Sequence, residues 1–349
     1  MMQNSRLLMD SMYGKELTVG KYLDPFKGFE EKEMHFETRH DDITGVTCRI
    51  LPGRLRAQVR TDMNPYLEKS PESACPFCPD LFDKFTPKFT PDICRDGKFK
   101  RGSAALFPNA FPHSRFNGVA IFSSKHYLSL PELSVDVMRD GFLVCLDYFS
   151  RMKDVFSLLD FCSINWNYMP PAGGGLIHPH LQTVVAEAPT NLVKKMCEKA
   201  KNYHDMAGRN LWRDIMDYEK EKDERYIGKT GAVEWMTCFA PRGMLGEIRF
   251  IFDGKTSIGS LNQDDIGDLL SGLCRIFGYL DAKNLFSFNL GLYATFAEND
   301  HLYVQGRVVP RFVLQPLGTS DSNYFEKIHD EIICPVVPEE QCRELRDLF

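Results

Sequence analysis

The sequence contains no long apolar run: nowhere do 18 apolar residues follow one another, so a membrane-spanning helix is not expected. The first two dozen residues lack the apolar segment of a secretory signal. An excess of positive charge is also absent, because 42 Lys and Arg residues stand against 48 Asp and Glu residues. These absences argue against a nucleic-acid or membrane partner and predict a cytoplasmic protein.

What remains is an ordinary globular composition, with 43% hydrophobic and 26% charged residues in a chain of 349. At roughly 150 residues per domain, this length predicts about two domains. The cysteines number 11, and an odd count without an export signal favours reduced thiols, a few of them on a metal. The composition therefore indicates a two-part globular protein, and we expect an enzyme.

The same order of predicted elements occurs twice along the chain. Two short strands, a long amphipathic helix with Ser134 as its N-cap, and two further strands lead up to residue 189. The order returns in the second half, where Asn289 answers Asn165 and Gln305 answers Gln182, at separations of 124 and 123 residues. Near-constant separations favour a duplicated α+β unit, although two generic patterns can also match by chance.

This repeat sets the predicted domain boundaries. The first half spans residues 1–190, a helical linker spans 191–230, and the second half spans 231–349. Each half is expected to have an antiparallel sheet with packed helices.

Three segments of the first half show weaker patterns. Residues 1–35 are predicted to be a poorly patterned lead-in, and residues 42–60 a hairpin broken at Pro52-Gly53. The Pro- and Cys-rich segment 64–102 is predicted to be a long irregular loop, of the kind that is usually functional or clamped by a metal.

The segment His178-Pro-His180-Leu-Gln182 is the most informative motif in the sequence. On a strand, its two histidines and its glutamine would line one face. Two imidazoles and an amide are a poor core pattern, because each needs a polar partner once it is buried. The alternative is an exposed edge strand with three solvated side chains.

A glycine run, Gly173-Gly174-Gly175, comes just before this motif. Glycine allows close backbone approach and free N–H groups, as an anion such as phosphate requires. A flexible loop is the alternative.

The pair Cys75-Pro-Phe-Cys78 supplies two thiols at a spacing typical of half a tetrahedral zinc site. His126 and His178 are the candidates for the two nitrogen ligands. A redox dithiol and two unliganded buried cysteines are the alternatives. The redox reading is disfavoured because Pro79-Asp80 and the Thr-Pro pairs that follow do not open a strand–helix unit.

Together, these motifs and the segment from Phe122 to Leu133 resemble the galactose-1-phosphate uridylyltransferase branch of the histidine-triad superfamily. Order and rough spacing agree from about Asp42 to Pro189, and more faintly over the second half. The resemblance implies a histidine-triad-like fold with a second, degenerate unit.

The resemblance also implies roles for individual residues. His180 would be the nucleophile that takes a nucleotidyl group as a covalent phosphoramidate, and Gln182 would donate to an α-phosphate oxygen. Zinc would be the metal, held by Cys75, Cys78, His126 and His178. The implied substrate contacts, with the glycine run added, are Arg54, Asn109, Asn167, Gly174, Gly175 and Glu326, the last following Phe325.

Two departures from the family pattern bear on these expectations. Gly174-Gly175-Leu176-Ile177 stands where the family's uridylyltransferases usually have Cys-Ser-Asn-Pro, so a phosphate-contacting serine is missing. The second half also lacks the histidines that some members use for a further metal, which predicts one metal per chain. Arg49, Arg54, Arg56 and Arg60 form a local basic cluster, with a solvated strand face as the alternative.

The resulting functional prediction is transfer of a nucleoside monophosphate between a nucleotide sugar and a sugar 1-phosphate, in galactose or related carbohydrate metabolism. One alternative is a phosphorylase, in which phosphate takes the nucleotidyl group from a nucleotide sugar or a dinucleoside polyphosphate. Another is a zinc-stabilised nucleotide-binding protein without turnover. A homodimer is left open.

Overall fold

The computed structural model describes residues 8–53, 58–299, 301–314 and 318–349. Its strands, in chain order, are β1 (Tyr13–Asp24), β2 (Glu30–Asp41), β3 (Val46–Ile50), β4 (Phe99–Arg101), β5 (Ala104–Pro108), β6 (Phe116–Ile121), β7 (Phe161–Tyr168), β8 (His180–Ala186), β9 (Tyr226–Thr230), β10 (Val233–Thr237), β11 (Ile248–Phe252), β12 (Ser287–Thr295), β13 (Gln305–Arg311), β14 (Val313–Leu314), β15 (Thr319–Ser320) and β16 (Glu331–Cys334). The labelled helices are α1 (Asn64–Lys69), α2 (Pro79–Phe85), α3 (Val135–Val155), α4 (Asn191–Ala207), α5 (Leu211–Lys222), α6 (Gln263–Ala282), α7 (Tyr324–His329) and α8 (Pro338–Arg346). The α+β prediction is confirmed.

One sheet of 10 strands runs through both halves of the chain, in the order β4-β5-β6-β8-β7-β12-β13-β11-β10-β9. The halves meet where β7 pairs antiparallel with β12, from Phe161 opposite Thr295 to Tyr168 opposite Phe288. Each half thus contributes an antiparallel set of strands, and the two sets join into a single sheet.

The repeat predicted from the sequence is confirmed by the topology. In the first half α3 separates the strands β5 and β6 from β7 and β8, and in the second half α6 separates β10 and β11 from β12 and β13. The strand order β5-β6-β8-β7 of the first half is repeated in the second half as β10-β11-β13-β12. The segment 191–230 holds α4 and α5 and then β9, which pairs with β10 at the far edge of the sheet.

Helix α3 forms where an N-cap residue, Ser134, precedes a stripe of apolar side chains. The hydroxyl of Ser134 accepts a hydrogen bond from the Val137 N–H at 3.4 Å, as predicted for an N-cap. The stripe is buried against the sheet and α6, and consists of Met138, Phe142, Cys145, Phe149 and Met152. Burial of each large apolar side chain stabilises the fold by about 1.5–3 kcal/mol. Within the described ranges, none of the helices has the length and apolarity to cross a bilayer.

The lead-in predicted for residues 1–35 is wrong for the described part, because β1 and β2 form a long antiparallel hairpin there. Its outer part has little hydrophobic alternation and is held by cross-strand ion pairs. The Lys21 ammonium lies 3.1 Å from Glu31 and 2.9 Å from Glu33. Because these side chains are exposed, solvent screens the pairs, and each contributes little to stability. With β3 and β16, the hairpin completes a sheet in the order β1-β2-β3-β16.

The predictions for the next two segments are partly wrong. Strand β3 pairs with β2 on one side and with β16 on the other, and residues 58–63 contain no strand. The segment 64–102 contains α1, α2 and β4 instead of one irregular loop. Both helices are too short to show a period in the sequence. Each has proline in its first turn, where a missing N–H costs little.

Candidate active site and metal centre

The four predicted metal ligands lie together near the start of β8. Ligand atoms of Cys75, Cys78, His126 and His178 are all within 4.8 Å of one another. The Cys78 sulfur lies 3.3 Å from Nδ1 of His126 and 3.5 Å from Nδ1 of His178. Two sulfurs and two imidazole nitrogens are a donor set that zinc binds tetrahedrally. The chemistry of the cluster therefore fits zinc.

The cysteine pair lies on a turn whose local sequence explains its shape. The N–H of Cys78 donates to the carbonyl of Cys75 at 3.2 Å, which closes the turn, and Pro79 then opens α2. A thiol at a helix start is also where a redox cysteine would lie. Burial, reinforced by the neighbouring Cys75, raises the pKa of Cys78 to about 12. The two imidazole nitrogens that lie 3.3 and 3.5 Å from its sulfur favour a metal ligand over a redox dithiol.

Both histidines of the cluster are oriented by a hydrogen bond on the far side of the ring. Nε2 of His126 donates to the carbonyl of Ser70 at 2.6 Å, and Nε2 of His178 donates to the carbonyl of Ser123 at 2.9 Å. A carbonyl only accepts, so Nε2 carries the proton and Nδ1 presents a lone pair to the thiols. Burial lowers the pKa of His178 to about 4, which keeps the imidazole neutral, as metal binding requires.

His180 has the opposite orientation. Its Nδ1 donates to the carbonyl of His178 at 2.8 Å, so the proton is on Nδ1 and Nε2 keeps its lone pair. Burial lowers the pKa of His180, which holds the ring neutral at pH 7. A neutral imidazole with a fixed tautomer and an available nitrogen is suited to nucleophilic attack.

Phe77 connects the cysteine turn to this histidine. Its ring lies edge-on to His180, with 5.2 Å between ring centroids, and 6.0 Å from the ring of His178. Phe77 also packs on the apolar face that β5 and β6 present. Phe77, directly before the second cysteine, therefore packs the cysteine turn against the ring of His180.

A row of polar side chains crosses three neighbouring strands at this point. Strands β7 and β8 pair with Asn165 opposite Gln182, and the same register continued by two residues places Asn167 opposite His180. On the other side of β7, Asn167 lies opposite Asn289 of β12. Side chains directly opposite on one face are about 5 Å apart at Cβ. The row His180–Asn167–Asn289 thus runs from the first half into the second.

Hydrogen bonds fix the middle of this row. Nδ2 of Asn289 donates to Oδ1 of Asn167 at 2.7 Å and to the carbonyl of Ala172 at 2.8 Å. Arg311 in turn donates to Oδ1 of Asn289 at 2.8 Å and forms a two-pronged ion pair with Asp321. Since Oδ1 of Asn167 accepts from Asn289, the amide group of Asn167 is directed toward the glycine run, about 4.0 Å from where a Cβ on Gly173 would lie.

The glycine run is required by crowding, and it is less open than predicted. A Cβ on Gly174 would lie 2.7 Å from the Asn167 carbonyl oxygen, whereas a Cβ on Gly175 would meet open space. The N–H groups of Gly173 and Gly174 already donate to the carbonyls of Pro170 and Met169. They are therefore not free for phosphate, contrary to the expectation from the sequence.

Two further predicted residues that the structure describes, Asn109 and Glu326, have other partners. Asn109 donates to Oδ1 of Asn117 at 2.9 Å, and Asn117 pairs with Val184, four residues along β8 from His180, or about 13 Å. Glu326 lies on α7, where Lys327 contacts it at 2.9 Å. Its charge is among those that raise the pKa of Arg311, after the larger effect of Asp321.

The basic cluster is only partly visible. Arg54 and Arg56 lie outside the described residues. Arg49 pairs with Glu331 at 2.8 Å, and Arg60 pairs with Asp281 at 2.9 Å. These two arginines therefore form ion pairs with distant parts of the chain and do not form a common basic cluster.

Comparison with known proteins agrees with this geometry. No protein-family model matches the chain. It is 29% identical over 340 residues to an uncharacterised protein of Archaeoglobus fulgidus, covering 97% of this chain and 98% of that protein. Among solved structures, a GALT-like protein of Arabidopsis thaliana matches with a TM-score of 0.66 at 17% identity, over 89% of this chain and 98% of the other. The chain has the galactose-1-phosphate uridylyltransferase-like fold.

Two further structures support the same assignment. An ADP-glucose phosphorylase of Arabidopsis thaliana, solved with ADP-glucose, matches with a TM-score of 0.66 at 18% identity, over 89% of this chain and 99% of that one. A uridylyltransferase matches with a TM-score of 0.63 at 15% identity, over 89% and 98% of the two chains. The resemblance inferred from the motifs is thus confirmed as a likeness of fold.

Within the galactose-1-phosphate uridylyltransferase-like fold, sequence reasoning missed Asn289 and Arg311. Asn289 was noticed only as the counterpart of Asn165 in the repeat. Its position beside Asn167 depends on the pairing of β7 with β12, and no sequence motif indicates that pairing. A search for polar residues on the central strand of each half would have found it.

Proposed function

We propose that this protein transfers a nucleoside monophosphate through a covalent nucleotidyl-His180, between a nucleotide sugar and a sugar 1-phosphate. The observation that carries the proposal is the hydrogen bond from Nδ1 of His180 to the His178 carbonyl. It leaves Nε2 as a neutral nucleophile in a buried strand beside a site that fits zinc. The likeness of fold to a uridylyltransferase and an ADP-glucose phosphorylase supports the same class of reaction.

The chemistry takes two displacements at phosphorus. In the first, the Nε2 lone pair attacks the α-phosphorus of the nucleotide sugar, and the bond from that phosphorus to the bridging oxygen breaks. The sugar 1-phosphate leaves with the electrons of that bond. In the second, a phosphate oxygen of the acceptor attacks the same phosphorus, the N–P bond breaks, and neutral His180 returns.

The neighbours of His180 have distinct parts in this proposal. Gln182 on the same strand and Asn167 on the neighbouring strand β7 supply amide donors to the non-bridging oxygens, which carry the developing charge. Zinc held by Cys75, Cys78, His126 and His178 would fix the start of β8 and so hold the nucleophile in place. That role is structural, because all four ligands come from the protein.

A phosphorylase reaction, in which inorganic phosphate is the acceptor, is the second candidate. It is favoured by Gly175, which stands at the position of the family's phosphate-contacting serine and leaves open space where that side chain would lie. The serine that holds a sugar phosphate in the family's uridylyltransferases has no counterpart there. A smaller acceptor needs fewer such contacts.

Intact-mass spectrometry tests the covalent intermediate. The protein is incubated separately with UDP-glucose, ADP-glucose and a GDP-sugar, without acceptor, and quenched in base. We expect a mass increase of one nucleoside monophosphate with the preferred donor, labile in acid as a phosphoramidate is. Addition of glucose 1-phosphate or inorganic phosphate should then discharge the adduct, and the faster acceptor distinguishes transferase from phosphorylase.

The His180→Gly variant is the control for the site of labelling and should stay unlabelled. Turnover in the wild type without any adduct would contradict the covalent route. Nucleotide binding with neither adduct nor turnover would instead support the non-catalytic alternative.

Asn289→Asp tests the hydrogen bonds that the second half gives to Asn167. The change keeps the shape and the contact with Arg311 but removes both donated hydrogen bonds. We expect kcat/KM to fall roughly 10- to 100-fold, the scale for an unpaired buried polar group. The fall should be mainly in kcat, with zinc content unchanged. Asn299→Asp is the matched control, since Asn299 also donates twice, to Thr256 and Thr295, away from the site. Equal losses in the two variants would remove Asn289 from the site.

A further inference from the structure

An open groove crosses the sheet from the first half of the chain into the second, on the face that carries His180. Its floor consists of partly exposed residues on four neighbouring strands: Gln182 on β8, Asn165 and Asn167 on β7, Asn289 and Gly291 on β12, and Val309 on β13. The residues that alternate with them, such as Trp166 and Leu290, face the other side and are buried. Since neighbouring strands lie about 4.8 Å apart, the groove extends about 14 Å from β8 to β13.

The floor of the groove is lowest at Gly291, where the two halves meet. Gly291 lies opposite Asn165 of β7 on one side and opposite Arg307 of β13 on the other. Among the described residues, a Cβ on Gly291 would meet one atom within 4 Å, Oδ1 of Asn165 at 3.5 Å. A group attached to His180 therefore has room to extend over the second half.

A loop of the second half, residues 238–247, closes the far end of the groove. Gly243 packs directly on the floor, because a Cβ there would lie 2.5 Å from Cγ1 of Val309. The residue before it, Arg242, is partly exposed. Its charge interacts with those of Arg307 and Tyr293, which both lie on the groove side of the sheet. The far end of the groove is therefore positively charged.

Arg242 is a cation without an ion-pair partner in the described part of the chain. Its Nε is buried and has no hydrogen-bond partner. The nearby carboxylate of Glu247 accepts from the backbone N–H of Arg242 at 2.8 Å and is paired with the buried Arg307. Burial, followed by repulsion from Arg307, lowers the pKa of Arg242. A buried donor left unpaired is costly, so this arrangement indicates an anion supplied from outside the chain.

The direction of the groove determines which part of a substrate reaches Arg242. Strand β8 has β6 on one side and β7 on the other. The predicted nucleoside contact, Asn109, lies on the β6 side, where it donates to Asn117. The groove leaves His180 on the β7 side. A nucleoside over β6 thus places the leaving group in the groove, with its far end toward Arg242.

We propose, relying on the proposed function, that the sugar 1-phosphate handled by this protein carries a second anionic group at its far end, and that Arg242 binds this group. The group is a carboxylate, as in a uronic acid 1-phosphate, or a second phosphate, as in a hexose 1,6-bisphosphate. A guanidinium forms two-pronged hydrogen bonds with either anion. A neutral hexose would leave Arg242 unpaired. Arg242 is thus a specificity residue, remote from the reacting phosphorus.

Discharge of the nucleotidyl-enzyme measures this preference without any variant. The labelled wild type, freed of donor, is mixed with glucose 1-phosphate, glucuronic acid 1-phosphate or glucose 1,6-bisphosphate. We expect one of the two anionic acceptors to discharge it roughly 10- to 100-fold faster than glucose 1-phosphate, the scale of a hydrogen bond to a charged group. The faster of the two distinguishes carboxylate from phosphate. Equal rates with all three would overturn this inference and leave the proposed function intact.

Variants assign the preference to Arg242. In Arg242→Gln the ratio of the anionic to the neutral acceptor should fall to about one, whereas Arg242→Lys keeps the charge and should retain part of the ratio. Arg275→Gln is the matched control, because Arg275 is also partly exposed but lies on α6, across the sheet from the groove. It should keep the wild-type ratio. An unchanged ratio in Arg242→Gln would overturn the assignment.

A binding measurement keeps the inference testable if no donor labels the protein, which would count against the proposed function. UDP-glucuronate differs from UDP-glucose in carrying a carboxylate at the far end of the sugar. By calorimetry, the wild type should bind UDP-glucuronate about 10-fold or more tightly than UDP-glucose, and Arg242→Gln should remove the difference. Equal affinities in the wild type would overturn the anion site.

Discussion

Replacing His180 with glycine should abolish group transfer, by about 10⁴-fold or more, while the protein stays folded and keeps its zinc. The ring of His180 contacts Phe77 and the carbonyl of His178. His180 is not a member of the four-residue cluster that fits zinc. Its removal leaves a hole of imidazole size. Added imidazole should enter this hole, attack the α-phosphorus and release a nucleotide imidazolide, which chromatography of the products detects.

His178→Gly is the matched comparison, since it deletes the same ring two residues earlier. This variant should lose zinc and stability, and added imidazole should restore little activity. A diffusible ring can replace a nucleophile, but it cannot replace a ligand that anchors a strand through the chain. Near-normal turnover in His180→Gly, or zinc loss in that variant and not in His178→Gly, would reverse the two assignments.

Replacing Cys75 with serine should have the largest effect on stability. Purified wild type should contain about one zinc per chain, and Cys75→Ser well below one, by elemental analysis. Structural zinc contributes roughly 10–16 kcal/mol in small peptides, so its loss should unfold the turn before α2 and lower solubility. Cys94→Ser is the control, because Cys94 lies in the same segment and outside the cluster.

The chelator experiment makes this prediction independent of any variant. Removal of metal from the wild type should lower its unfolding temperature, and zinc should restore it. A wild type that is folded and zinc-free after mild purification would contradict the assignment, as would equal zinc in Cys75→Ser and Cys94→Ser.

The cluster of two cysteines and two histidines and the strand that carries His180 were predictable because short motifs fix them locally. A Cys-Pro-Phe-Cys turn brings two sulfurs together whatever surrounds it, and a strand places alternate residues on one face. Helix α3 was predictable for the same reason, since its N-cap Ser134 and its apolar stripe are adjacent in the sequence. These features depend on neighbours a few residues away.

What the sequence did not reveal depends on contacts between distant segments. Asn289 reaches Asn167 only because two halves of one sheet meet at β7 and β12. The glycine run was predicted to offer free N–H groups, but Gly174 is needed because the Asn167 carbonyl crowds it. The β1–β2 hairpin escaped notice because paired charges hold its outer part, and charges along a sequence resemble a solvated tail.

The meeting of β7 with β12 has an evolutionary consequence. A single unit that ended at β7 would leave that strand as a bare edge, open to pairing with other chains. The second unit covers this edge and supplies Asn289 to the first. The two copies of the duplicated unit therefore have different roles. Tyr303 stands in the second copy where the repeat places His180 in the first. The second copy therefore has no imidazole at the position of the proposed nucleophile, and what it supplies to the first copy is the strand that covers its edge.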